Sequence, residues 1–141
     1  MNGRVFFDTN ILLYLYGADH RKRELATSLF RGASKEGTLL ISTQVVQEFH
    51  AAGSKKLRIP SDILRTLTMA LLQLPTVVVQ ADQITAALEL ETRFQIPFWD
   101  SLILAAADSG GARVVFSEDL NHGQRYGNVV VENPFLTSGP A

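Results

Sequence analysis

The stretch Arg4-Val5-Phe6-Phe7-Asp8-Thr9-Asn10 decides the fold. An apolar run passes straight into an acid, a hydroxyl and an amide, and then into a helix, with a short helical pattern at Leu13 to Tyr16. Val5–Phe7 is the length and character of a buried strand. Asp8 therefore stands at a strand's carboxyl end, the edge where open α/β sheets bind ligands. The blander role for Asp8 is to cap the following helix, where Asp is favoured, and the residue alone does not choose between the two.

Working outward, four more apolar runs read as strands: Leu39–Ser42, Val77–Gln80, Arg113–Phe116 and Val129–Glu132. The triple valines at 77–79 and 129–131 are continuous, as strands buried on both faces should be. Between the strands lie helical patterns at Arg21–Arg31, at Thr43–Ala52, from a Ser61 cap through Leu71, from an Asp82 cap with Ile84, Ala87 and Leu88 facing in, and at Ser101–Ser109 opened by Asp100. Strands that alternate with helices imply a parallel sheet with right-handed crossovers and helices on both faces. The expected architecture is α/β, a three-layer α/β/α sandwich around a mostly parallel sheet of about five strands. Residues 1–136 are expected to form a single domain, and 137–141 a frayed tail.

A chain of 141 residues that is 46% hydrophobic can bury a sizeable core. Thirteen Lys and Arg against fourteen Asp and Glu exclude a polybasic nucleic-acid coat. The absence of cysteine removes disulfides, thiolate metal sites and cysteine nucleophiles together. No apolar run approaches the roughly 20 residues of a membrane span, and no signal-peptide pattern opens the chain, so the expected location is cytoplasmic.

Four acids carry the chemistry: Asp8, Glu48, Asp100 and Asp119. Each has an ordinary explanation by itself. Glu48 can be a solvated helix residue, although Val45, Val46 and Phe49 around it favour burial, and a buried carboxylate needs a partner. Asp100 can be an N-cap. Asp119 can be a turn residue after Val114-Val115-Phe116, and Glu118 competes with it. Asp119 is preferred because Ser117-x-Asp119 offers two oxygen groups on one side of an extended backbone. Gathered at one end of a sheet, such acids would raise one another's pKa unless a cation intervened. An oxygen-only set suits Mg²⁺ or Mn²⁺ rather than Zn²⁺. His20, His50 and His122 form no ligand set.

These segments resemble the PIN domain, in the form found in VapC-type toxins of toxin–antitoxin pairs. The resemblance lies in Val5-Phe6-Phe7-Asp8-Thr9-Asn10-Ile11-Leu12, Gln44-Val45-Val46-Gln47-Glu48-Phe49, Phe98-Trp99-Asp100-Ser101-Leu102-Ile103 and Phe116-Ser117-Glu118-Asp119-Leu120, with Asn133-Pro134-Phe135 closing the pattern. It spans residues 4–135. The resemblance implies a metal-dependent endoribonuclease that hydrolyses RNA phosphodiester bonds to a 5′-phosphate and a 3′-hydroxyl, using Mg²⁺ or Mn²⁺. It further implies a homodimer and a cognate antitoxin as partner. Carried over, Asp8, Glu48, Asp100 and Asp119 are the metal-site acids, with Asp8 and Asp100 ranked first as ligands. Thr9, Asn10 and Ser117 orient them or touch the scissile phosphate. The basic clusters Arg21-Lys22-Arg23 and Lys55-Lys56-x-Arg58 are candidates for the RNA backbone. The apolar excess of Ile63–Leu74 is either core or a partner surface.

A phosphatase of the haloacid-dehalogenase type would need a second acid where Asn10 stands. A receiver domain would need an acid pair at the first strand. The remaining alternative is a catalytically weak PIN-like module that binds RNA or protein.

Overall fold

The computed structural model describes residues 3–136; the tail expected at 137–141 lies outside them. The chain runs β1 (Arg4–Phe7), α1 (Thr9–Tyr14), α2 (His20–Glu36), β2 (Leu39–Ser42), α3 (Thr43–Lys55), α4 (Ser61–Leu71), β3 (Thr76–Val77), α5 (Ala81–Phe94), α6 (Phe98–Ser109), β4 (Ala112–Phe116), β5 (Arg125–Tyr126) and β6 (Val129–Glu132). The sheet order is β3-β2-β1-β4-β6-β5, parallel throughout except for the β5–β6 pair. The expected sheet is therefore present, with one strand more than expected: the two residues of β5 are too few to leave a periodic signal.

Phe6, Val115 and Val131 are fully buried on one face, against which α6 packs, with α5 behind it. On the other face Phe7 meets Phe30 of α2 and Phe116 of β4 edge-on, at centroid distances of 5.7 and 5.4 Å. The three layers follow. Asp19 caps α2 through a bond from the Lys22 amide (3.1 Å), and Gly37 ends it at φ 72°, a conformation glycine adopts without strain. Ser42 caps α3, so this helix leaves β2 with no loop between.

Several local expectations are corrected. The valine run at 77–79 does not form a strand buried on both faces. β3 is two residues at the sheet's edge, and Val78 is 58% exposed. An edge strand has one neighbour, and the chain turns at once into the capping box of Gln80 and Gln83 that starts α5. Asp82 is thus in the first turn rather than at the cap. Ile84 and Leu88 face outward; Ala87 faces in, clustered with Leu102 and Ala105 of α6. Two helices packed this closely select the small side chain and turn the large ones out. Ser61 is the first residue of α4, after a Pro60 cap with no side-chain bond. That helix buries Leu64 and Leu71 but exposes Ile63 and Met69. Among the described residues no helix is long and apolar enough to cross a membrane.

Candidate functional site

The parallel register places the site. Phe7 pairs with Phe116, and the ladder continues one step as the Asp8 amide donates to Phe116 O (3.0 Å). Asp8 and Ser117 thereby become neighbours at the carboxyl ends of β1 and β4. Ser117 Oγ donates to Asp8 Oδ2 (2.7 Å) and the Thr9 amide to Asp8 Oδ1 (2.7 Å). Asp8 is both the helix cap and the point on which Ser117, Thr9 and Asn10 converge, so capping does not compete with a place in this cluster.

The flanking polar residues brace the acids. Asn10 Nδ2 donates to Asp119 Oδ2 (3.0 Å) and to Asp8 Oδ2 (3.3 Å), while its Oδ1 accepts from the Glu118 amide (3.1 Å). Thr9 Oγ1 donates to Glu48 Oε1 (2.6 Å). The Asp119 amide donates to Ser117 Oγ (3.2 Å), so that hydroxyl links Asp119 to Asp8 rather than standing beside the Asp119 carboxylate. Glu118 points elsewhere: it accepts from Tyr14 Oη (2.5 Å) and pairs with Lys22. Partial burial raises the Glu118 carboxyl, but those two donors outweigh it and hold the group below the usual range.

Asp100 differs from the others. The helix begins at Phe98 with Pro97 as cap, so Asp100 is in the first turn and caps nothing. Its carboxylate accepts no hydrogen bond among the described residues. It meets the other acids through charge alone. Partial burial first, and then the negative charges of Asp119 and Glu48, push its pKa up. Burial pushes Asp8 to about 6, against the bonds from Ser117 and Thr9, with Glu48 and Asp119 adding to the rise.

Gln44 is a residue the sequence reading did not single out. It is buried, and its Nε2 donates to Glu48 Oε2 (3.2 Å) and to Trp99 O (3.1 Å). It ties Glu48 to the residue preceding Asp100. Its only sequence signal is the four-residue spacing from Glu48, which puts both on one helix face. Among the described residues two buried side-chain atoms lack a partner, Gln44 Oε1 and Tyr126 Oη. Gln44 is bonded through its amide nitrogen to the carbonyl of Trp99, next to Asp100 in the chain, and the Tyr126 phenol has its pKa raised by burial and, less, by the Asp100 charge. Unpaired buried polar atoms are rare in folded proteins.

Among the described residues no three carboxylates or imidazoles stand close enough to enclose one ion as they are. Asp8, Glu48 and Asp119 are each engaged by their own donors, and carboxylates about 4 Å apart would repel by roughly 4 kcal/mol at an effective dielectric near 20. The donor set itself, carboxylates with hydroxyl and amide support, suits a hard divalent cation. The histidines serve elsewhere: His20 pairs with Glu24 (3.2 Å), His50 with Thr68 (2.7 Å), and His122 accepts from the Asn133 amide (3.0 Å).

The sequence profile of the PIN domain matches residues 5–127. The chain belongs to the PIN domain family. Solved PIN-like structures share its fold. A VapBC2 complex from Rickettsia felis bound to promoter DNA matches at a TM-score of 0.69 and 21% identity, over 91% of this chain and 96% of that one. A toxin–antitoxin complex from Klebsiella pneumoniae matches at 0.67 and 20%, over 93% and 98%. VapC20 of Mycobacterium tuberculosis, described as a toxin that cleaves the sarcin–ricin loop, matches at 0.66 and 20%, over 82% and 89%. No curated protein matches this chain.

Proposed function

We propose that this PIN domain is a metal-dependent endoribonuclease and the toxin of a toxin–antitoxin pair. The observation that carries the nuclease reading is the braced set of acids at the carboxyl ends of β1 and β4, joined by Thr9, Asn10 and Ser117. The toxin reading draws on the fold shared with the VapC and toxin–antitoxin structures. An antitoxin and a second copy of the chain are the proposed partners, and the cytoplasm its proposed location.

Asp8, Asp100, Glu48 and Asp119 would hold Mg²⁺ or Mn²⁺. Bound there, the ion would supply positive charge at the scissile phosphate and a more acidic water. The chain's own residues prepare for that. Ser117 and the Thr9 amide fix both oxygens of Asp8. Thr9 and Gln44 fix Glu48. Asn10 presents one amide between Asp8 and Asp119. Asp100 is left to turn as substrate arrives. Hydrolysis by water needs no protein nucleophile, which agrees with a chain that has no cysteine.

Purified protein is expected to cut RNA with Mn²⁺, to lose activity in EDTA and to lose it in Asp8→Asn. Undiminished cleavage by Asp8→Asn sinks the assignment. The second reading, a catalytically weak module that binds RNA or protein, is favoured by one observation: among the described residues no three acids stand ready around a common point. Calorimetric titration with Mn²⁺ separates the two, because an inert module would take up no ion at the site.

A further inference from the structure

The two basic clusters have different fates in the fold. Lys22 pairs with Glu118 and lies over the rings of Tyr14 and Phe135. Arg21 donates to Phe135 O (3.3 Å) and Arg23 to Gly17 O (3.1 Å). That cluster is committed to internal contacts. Lys55, Lys56 and Arg58 are exposed, and their side chains make no hydrogen bond or ion pair among the described residues.

Lys56 borders a concavity of about 360 Å³ that reaches the acids directly, sharing Asn10 and Asp119 with them. Its apolar wall includes Leu13 and Leu57, and Asp19 and Glu118 stand on its rim. This volume falls within the range of small-molecule sites, which combine apolar walls with a few polar groups. The polar groups here are mostly acceptors. Asp19 uses Oδ1 as the α2 cap, and a carboxylate has further lone-pair sites to offer. Among the described residues that line it, Lys56 is the one unengaged cation.

We propose that this concavity seats one nucleotide of the RNA beside the scissile bond. The inference rests on the RNA-cleaving reading above. The base lies against Leu13 and Leu57, the flanking phosphate meets Lys56, and the base edge is read by Asp19. A rim of acceptors selects donors. Adenine and cytosine present an exocyclic amine, and guanine presents one together with a ring N–H. Uracil carries a ring N–H too, but it is flanked by carbonyl acceptors and has no exocyclic amine to offer. The site therefore prefers an amino-bearing base to uracil at one position next to the cut.

The test is cleavage of randomised RNA with Mn²⁺, followed by sequencing of the new ends. At one position beside the cut, uracil is expected to be depleted at least about fivefold, the lower end for a specific base contact. Asp19→Asn keeps a good helix cap but exchanges an acceptor for a donor, so uracil returns at that position. Lys56→Gln slows cutting of all sequences through KM and leaves the base profile alone. Anisotropy of short labelled RNAs in EDTA gives the same contrasts in Kd, independently of turnover. Melting curves confirm that both variants fold.

An unchanged profile in Asp19→Asn, with unchanged KM in Lys56→Gln and an active wild type, overturns the inference and leaves the nuclease reading standing. If the wild type cuts no RNA, that reading falls and the inference with it. If all four bases are cut alike while a basic peptide binds in an Asp19-dependent way, the concavity belongs to a protein partner's side chain and the inference is wrong.

Discussion

Asp8 and Asp100 sit at the same end of the sheet and are held in opposite ways. Asp8 is buried at the junction of β1 and α1, with both oxygens bonded by groups from its own turn and from β4. Asp100 is half-buried in the first turn of α6 and bonded by nothing described. The difference separates two jobs that a metal-binding acid can have. A carboxylate fixed by neighbours supplies geometry in advance. One that is free supplies adjustment when charge arrives.

The largest effect follows from the fixed member. Asp8→Asn is expected to lower Mn²⁺-dependent cleavage by more than the roughly 100-fold that supporting residues cost, while making the metal-free fold more stable. Asp100→Asn is expected to lower cleavage as well, but with a smaller gain in metal-free stability, because its carboxylate is less buried. Thermal melts of the three proteins in EDTA at pH 8 check the contrast. Equal stabilisation by the two substitutions would break it.

The same contrast has a pH dependence. The Asp8 carboxyl moves from 3.8 to about 6 on folding, so between those values the folded chain binds a proton that the unfolded chain has released. Stability from this group is fully present below pH 3.8 and lost as pH rises through about 6. The loss corresponds to about 3 kcal/mol. It should appear in the difference between wild type and Asp8→Asn melted across pH 3.5 to 8 in EDTA. Mn²⁺ at pH 8 should raise the wild-type Tm by mass action and leave that of Asp8→Asn unmoved.

Asp8 was legible in the sequence because its signal is local: an apolar strand, an acid, then a helix. The pairing of its strand with Arg113–Phe116 was implied by two apolar runs that each end near an acid. What was hidden depends on residues far apart in the chain. Gln44 meets Trp99 across 55 positions and Lys22 meets Glu118 across 96, and no periodicity encodes such a meeting. The spacing of Ile84 and Leu88 points inward, because an apolar stripe normally faces the core. Nothing in α5 alone shows that α6 packs closely enough to select Ala87. The valines at 77–79 showed β character without showing that their strand has one neighbour.

Gln44 sharpens the contrast from the free side, since its side chain ties Glu48 to the turn carrying Asp100. Gln44→Met keeps the volume and removes both bonds. Mn²⁺ affinity is expected to fall by about 10- to 100-fold, the usual cost of losing a residue that orients a ligand, with the melting curve in EDTA shifted much less. Gln44→Glu restores neither bond and adds a negative charge, so it should be worse than Met. Unchanged Mn²⁺ affinity in both variants would assign Gln44 to packing alone.

The smallest effect concerns two adjacent acids that repeat the comparison one residue apart. Glu118 is committed to Lys22 and Tyr14, whereas Asp119 keeps a single side-chain bond, from Asn10. Glu118→Gln is expected to cost about 1 kcal/mol or less, because the ion pair it breaks is a quarter exposed. It should leave Mn²⁺ affinity unchanged. The Glu118 carboxyl is held below its ordinary 4.5, so its contribution is present above that value and disappears as pH falls below it. The cost of Glu118→Gln should therefore be full at pH 7 and fade on acidification, opposite in sign to the Asp8 effect. Asp119→Asn should do the reverse: little change in Tm, and weaker Mn²⁺ binding. If Glu118→Gln weakened Mn²⁺ binding as much as Asp119→Asn, Glu118 would be the acid of the site, and its bond to Lys22 would be a resting contact that the ion displaces.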